Sequence, residues 1–244
     1  MPGPEILTHP SAEALAAAVA GRLVAHLAAV QAAGDIPSVV LTGGSIAVKI
    51  HEAVVTATRD DVDWSRVDVW FGDERFVPED DSERNAGQAA EAMLDHLPFS
   101  PGRIHAMPPS DGRYGDDVEA AAAGYADELL AADDGSIPRF DVLMLGIGPD
   151  GHCASLFPGR TEVDESAPAV AVRDSPKPPP TRITMTGGTL ANATEVWFVA
   201  AGEGKAEAVR DALGDADPHD VPAAGPKGIE RTVWFLDEDA ATHV

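Results

Sequence analysis

The chain of 244 residues has a single cysteine, Cys153, which excludes an intramolecular disulfide framework and suits a reducing compartment. Aromatic residues are only 5% of a sequence that is 44% hydrophobic, so the core must come from aliphatic side chains and alanine. No uninterrupted apolar run of about 18 residues occurs, which gives no indication of a transmembrane helix. The segment Met1 to Pro10 has no basic stretch leading into an apolar core, so no secretory signal is expected and the cytoplasm is the expected location. Lysine is confined to Lys49, Lys177, Lys205 and Lys227, and 17 basic against 41 acidic residues give a net charge of −24. Such a surface repels nucleic acid and anionic membranes. It repels a phosphorylated metabolite too, unless cations are gathered at one place, so a basic residue beside a glycine-rich loop merits attention.

Short apolar stretches alternate with helical ones. Ser11 can cap a helix running to about residue 33, with Leu15, Val19, Leu23, Leu27 and Val30 on one face and Gly34 ending it. Strands are expected at 38–41, 67–71, 140–145, 182–184, 195–201 and 232–236, with another at 167–172. Helices are expected over about 46–58, 83–97, 116–132 and 203–213, with a helical turn near 189–193. Residues 98–115 read as loop. This order predicts an α/β fold: a mostly parallel sheet covered by helices on both faces. No segment reads as a domain linker, the short stretch 175–180 being the best candidate, so residues 1–244 are read as a single domain.

Three glycine-rich turns follow expected strands, and in open α/β sheets ligands bind at the strands' carboxyl ends. Thr42-Gly43-Gly44-Ser45 leads into a helix, where successive backbone amides can cradle an anion. It is neither a Walker loop nor a dinucleotide fingerprint, and a plain tight turn would look the same. Gly72-Asp73-Glu74-Arg75 reads either as a surface ion-pair loop or as a site whose Arg75 guanidinium meets a substrate oxygen. Gly146-Ile147-Gly148-Pro149-Asp150-Gly151-His152 places an imidazole, a proton acceptor at neutral pH, among glycines that allow close approach of a ligand. An ordinary turn whose histidine caps a backbone carbonyl remains the alternative. Arg182 and Lys205 are the other cationic candidates. Lys205 falls in the first turn of a helix, a poor place for a cation unless an anion is bound nearby. Cys153 reads as a small buried residue rather than a nucleophile, and His9, His26, His51, His96, His105, His219 and His243 show no metal-ligand spacing.

The run Gly146-x-Gly148-x-Asp150-Gly151-His152-x-Ala154-Ser155-Leu156-Phe157-Pro158 closely resembles the signature of the 6-phosphogluconolactonase family. Gly72-Asp73-Glu74-Arg75 with Asn85, the Gly43-Gly44-Ser45 turn, Arg182-Ile183-Thr184 and Gly204-Lys205-Ala206 occur in the same order as in that family, so the resemblance covers nearly the whole chain. It differs in carrying Ile46-Ala47 where Thr-Pro is commoner, so a contact there must come from Ser45 and the amides. The resemblance implies a Rossmann-like fold of the sugar-phosphate isomerase and CoA-transferase type. It implies hydrolysis of 6-phospho-D-glucono-1,5-lactone in the oxidative pentose phosphate pathway. It further implies His152 as general base, with Asp150 orienting it or only forming the turn. Gly43, Gly44, Ser45, Asp73, Arg75, Arg182 and Lys205 are then the substrate-binding residues. In this reading Arg182, Lys205 and the amides near Gly43 hold the phosphate, while Arg75 or loop amides meet the developing oxyanion. No cofactor, metal, nucleic acid, membrane or obligatory protein partner is implied.

Two rivals share the scaffold. An amino-sugar-phosphate isomerase or deaminase carries an acidic residue soon after the histidine, where this chain has Ser155-Leu156-Phe157-Pro158. A non-catalytic sugar-phosphate sensor adds a DNA-binding segment, whereas the first core helix here starts near residue 11 and the charge opposes DNA.

Overall fold

The computed structural model describes residues 3–57 and 61–244. In chain order the elements are β1 (Glu5–His9), α1 (Ala12–Ala32), β2 (Ser38–Leu41), α2 (Ser45–Ala57), β3 (Asp68–Phe71) and β4 (Asp73–Arg75). Then come α3 (Asn85–Ala92), β5 (Ile104–His105), α4 (Val118–Ala131), β6 (Phe140–Gly146), β7 (Ala169–Val172) and β8 (Arg182–Met185). The chain ends with α5 (Gly187–Leu190), β9 (Ala193–Ala200), α6 (Ala206–Leu213) and β10 (Arg231–Asp237).

Seven of these strands form one sheet in the order β1-β10-β9-β6-β2-β3-β5, and every pairing in it is parallel. Successive residues of a strand point to opposite faces, and here both faces are buried. Val39, Leu41, Val69, Phe71, Val142, Met144, Trp197 and Phe235 pack with α1, α2 and α3. Val40, Trp70, Leu143, Leu145, Phe198 and Trp234 pack with α4 and α6 on the other face. The helix-covered parallel sheet expected from the sequence is therefore present.

α1 shows how the sequence builds one layer. Ser11 is extended and its side chain accepts a hydrogen bond from the Ala14 amide at 3.2 Å. Leu15, Val19, Leu23 and Leu27 are buried on one stripe, with Val30 half-buried at its end. By length and composition α1 could cross a membrane. Its apolar stripe is instead covered by the sheet and α2.

Several expectations need correction. β1 was not foreseen, because five residues with half-exposed side chains give no strong alternation. The stretch read as loop over 98–115 contains the two-residue β5, which only its pairing with β3 makes a strand. The strands expected near 167–172 and 182–184 do not join the main sheet. They form a separate antiparallel sheet in the order β4-β8-β7, which includes residues 73–75, read as loop. α3 is shorter than expected, since the backbone leaves helical geometry at Met93. The expected end of α2 at Thr58 lies outside the described residues, as do Met1 and Pro2 at the chain start.

From β2 the chain crosses over to β3 in one direction, whereas from β6 it moves to β9 and then β10 in the other. The gap between β2 and β6 is thus a topological switch point, where a crevice opens beyond the carboxyl ends of the strands.

Candidate active site

At that switch point lies a cleft of roughly 270 Å³, the scale of a small ligand. The turn after β2 forms one wall, and the Thr42 hydroxyl accepts a hydrogen bond from the Gly146 amide at 3.2 Å, joining it to the turn after β6. Gly43 is required by packing: a Cβ there would lie 1.9 Å from Asn85 Oδ1. Gly43 and Gly44 line the cleft, and the first amides of α2 have no acceptor within the helix. Ser45 opens α2 but is exposed and does not line the cleft.

The opposite wall comes from the small antiparallel sheet, whose register sets Arg75 directly across from Arg182. Buried Glu74 braces this wall by accepting the amides of Arg75, Asn85 and Ala86 at 2.7–2.9 Å, which caps α3. Burial pushes the Glu74 carboxyl up, against the Arg84 guanidinium 3.7 Å away and those amides. Asp73 accepts the Ser155 hydroxyl at 2.6 Å and lies 4.0 Å from the Arg182 guanidinium. Arg75 donates one Nη to the Glu83 carbonyl at 2.6 Å, while its buried Nε has no partner among the described residues.

The turn after β6 carries the imidazole. The Gly148 amide donates to the His152 carbonyl at 2.8 Å, closing a tight loop, and a Cβ on Gly148 would meet the ring at 2.0 Å. Only glycine leaves room for the ring. His152 Nδ1 stands 2.5 Å from Asp150 Oδ1, and the ring packs on Phe157 at 4.8 Å. Burial pushes the imidazole below its ordinary value despite the Asp150 hydrogen bond and charge, and the Lys177 charge reinforces burial. For Asp150, burial alone would raise the carboxyl, but His152 and then Lys177 together hold it lower. A neutral imidazole whose Nδ1–H faces a carboxylate leaves Nε2 free to take a proton.

Lys205, in the short 3-10 turn before α6, lines the same cleft. It is half-buried and has no hydrogen-bond or ion-pair partner among the described residues. Burial lowers its ammonium, the Lys177 charge adds to that, and Asp150 opposes it. Arg182 lines the cleft as well, with most of its donors engaged in the fold. Its Nε donates to the Pro179 carbonyl, and one Nη to those of Lys177 and Pro178, at 3.1–3.2 Å. The other Nη, 3.5 Å from Ser155 Oγ, faces Ser155 and Asp73. Much of its donor capacity thus shapes the proline loop beside the cleft.

The fold therefore brings His152, Gly43, Gly44, Asp73, Arg75, Arg182 and Lys205 into one cleft, with Asp150 behind the imidazole. Sequence reasoning missed Lys177, whose ammonium reaches Asp150, and Ser155, which links Asp73 to Arg182. The scarcity of lysine was the available signal for Lys177. Cys153 is fully buried and its thiol is raised by burial, the state of an inert packing residue. Among the described residues no group of three or more His, Cys, Asp or Glu side chains is placed to hold a metal ion.

Residues 10–234 match the sequence model of the family described as glucosamine-6-phosphate isomerases/6-phosphogluconolactonase. The chain belongs to this family. It is similar to the 6-phosphogluconolactonase of Streptomyces coelicolor, with 49% identity covering 99% of this chain and 95% of the relative. The 6-phosphogluconolactonase of Mycobacterium tuberculosis is 46% identical, covering 95% of each chain. In three dimensions it resembles the crystal structure of 6-phosphogluconolactonase from Thermotoga maritima, with a TM-score of 0.82 and 26% identity over 97% of this chain and 99% of that one. Within the glucosamine-6-phosphate isomerase/6-phosphogluconolactonase family, likeness of this extent to lactonases makes the chain an enzyme of the hydrolase type.

Proposed function

We propose that this chain hydrolyses 6-phospho-D-glucono-1,5-lactone to 6-phosphogluconate in the oxidative pentose phosphate pathway of the cytoplasm, with residues 1–244 acting as one catalytic unit. The observation that carries the mechanism is the 2.5 Å contact between His152 Nδ1 and Asp150 in a cleft lined by Arg75, Lys177, Arg182 and Lys205. In a chain of net charge −24, these cations make a local exception that suits an anionic substrate.

Lys205, the Gly43 and Gly44 amides and the Arg182 Nη that faces Ser155 and Asp73 anchor the 6-phosphate, which sets the lactone carbonyl beside His152. His152 Nε2 takes a proton from water as the water oxygen bonds to the carbonyl carbon. The carbonyl electrons move onto oxygen, where Arg75 or loop amides stabilise the charge. Collapse of the tetrahedral intermediate breaks the bond to the ring oxygen, which receives the proton back from the imidazolium. Asp150 holds the imidazole in the tautomer this requires. The chemistry calls for no metal or organic cofactor. Ring opening of an amino sugar phosphate fits less well, since Ser155-Leu156-Phe157-Pro158 stands where such an enzyme carries an acidic residue.

The test is consumption of lactone generated from glucose 6-phosphate, with spontaneous hydrolysis subtracted. Catalysed loss of the phosphorylated lactone, with unphosphorylated gluconolactone much poorer, is expected. Equal efficiency on both would remove the anchor from the mechanism.

A further inference from the structure

Lys177 is given no step in the hydrolysis described above, yet its ammonium stands within hydrogen-bonding distance of the base. Its Nζ is 3.1 Å from Asp150 Oδ1 and 3.2 Å from His152 Nδ1, so one carboxylate oxygen serves both the imidazole and the ammonium. The ammonium is not a freely moving surface charge. It extends from the proline run 176–180, where the Ser175 side chain accepts the Lys177 amide and donates to the Lys177 carbonyl. Arg182 holds the carbonyls of residues 177, 178 and 179 from beneath. That arrangement gives the otherwise unexplained donors of Arg182 a purpose, which is to fix the backbone that carries Lys177.

We propose that Lys177 is a positioning residue for the general base, which by sharing Asp150 Oδ1 with His152 keeps the imidazole neutral with its Nε2 lone pair free. Two consequences follow from the geometry. An ammonium beside Nδ1 opposes a second proton on the ring by charge repulsion. It also takes part of the Asp150 charge that would otherwise favour an imidazolium. The remaining charged groups around the ring are Asp73, which favours protonation, and Arg75, Arg182 and Lys205 across the cleft, which do not. Burial of the ring acts in the same direction as Lys177.

The inference rests on His152 being the base, and the experiment keeps the two apart. kcat and KM of the wild type, Lys177→Met, Lys177→Arg and His152→Ala are measured across pH 5–9 with the phosphorylated lactone. Lys177 is half-exposed through its side chain and its backbone contacts do not use the ammonium, so Lys177→Met is expected to fold, as near-wild-type thermal melting will show. Activity of a general base is lost as pH falls through its pKa. Removing the ammonium raises that pKa, so the acid limb of kcat should move to higher pH in Lys177→Met. The result should be about a tenfold loss at pH 6, a smaller loss at pH 8 and little change in KM. Lys177→Arg should return the limb toward the wild-type position. An unmoved limb in Lys177→Met, or a loss confined to KM, would overturn the proposal, the latter by making Lys177 a substrate ligand. If His152→Ala keeps its activity, the base assignment fails instead.

Discussion

His105 and His152 start from the same chemistry and are shifted in opposite directions. Each is a partly buried imidazole packed against an aromatic ring, with Nδ1 within 2.8 Å of a carboxylate. His105, on edge strand β5, stacks on Trp70 at 3.8 Å and faces both Glu128 and Asp68. Burial works against its charge, but those two carboxylates overcome burial and push it up to about 9. His152 has one carboxylate, shared with an ammonium, and burial prevails. The first arrangement favours a cation up to about pH 9, which ties strand to helix. The second favours the neutral ring that the proposed mechanism needs. A histidine near a carboxylate is therefore not by itself a base; the number of carboxylates set against burial of the ring decides the direction of the shift.

The largest effect expected from breaking the contrast is at His152. His152→Ala should lower the catalysed rate by about 10²–10⁴-fold with the fold intact, whereas His105→Ala should leave turnover nearly unchanged. Turnover and circular dichroism of both variants check this, and a His152→Ala protein with most of its activity would refute the mechanism.

A third imidazole sharpens the comparison by having no carboxylate partner among the described residues. His51 in α2 is buried, its Nδ1 has no partner among the described residues, and burial lowers it to about 4. A folded pKa below the unfolded value means that the unfolded chain binds the proton more readily. Stability from neutral His51 is then present above about pH 6.5 and lost as pH falls toward 4, by roughly 3 kcal/mol. His105 has the opposite sign. Its contribution is fully present below the unfolded pKa and fades as pH rises through about 9. Urea unfolding against pH should show a shallower acid decline in His51→Leu and a shallower alkaline decline in His105→Gln.

Cations divide in the same way as imidazoles. Lys49 pairs with Glu13 and Arg173 with Glu119 on the open surface, where such pairs contribute little. Lys205 is half-buried without a hydrogen-bond or ion-pair partner among the described residues. Lys205→Ala should weaken binding of 6-phosphogluconate about ten- to a hundredfold, by calorimetry, while Lys49→Ala and Arg173→Ala should alter neither binding nor melting temperature.

What could be read from the sequence follows this division into local and non-local. The helix–strand alternation, the Ser11 cap and the glycine turns depend on neighbours in the chain, and the sequence displays them directly. So does the histidine turn, because Asp150 and His152 are two residues apart. The antiparallel sheet was not legible, since residues 73–75 become a strand only by pairing with 182–184. Lys177 was not legible as a partner of His152, because 25 residues separate them and only the fold brings them together. The hold of Arg182 on the proline loop was not legible either, because nothing in the sequence indicates how many of its donors that loop takes.

Histidine-selective ¹⁵N NMR of the intact protein tests the central claim most directly, because it reads charge and tautomer at both rings in one titration. At pH 7, His152 should be neutral, with its proton on Nδ1 and a free lone pair on Nε2, and His105 should be a full imidazolium that titrates only near 9. An imidazolium at His152 at pH 7, or a neutral ring carrying its proton on Nε2, would contradict the account.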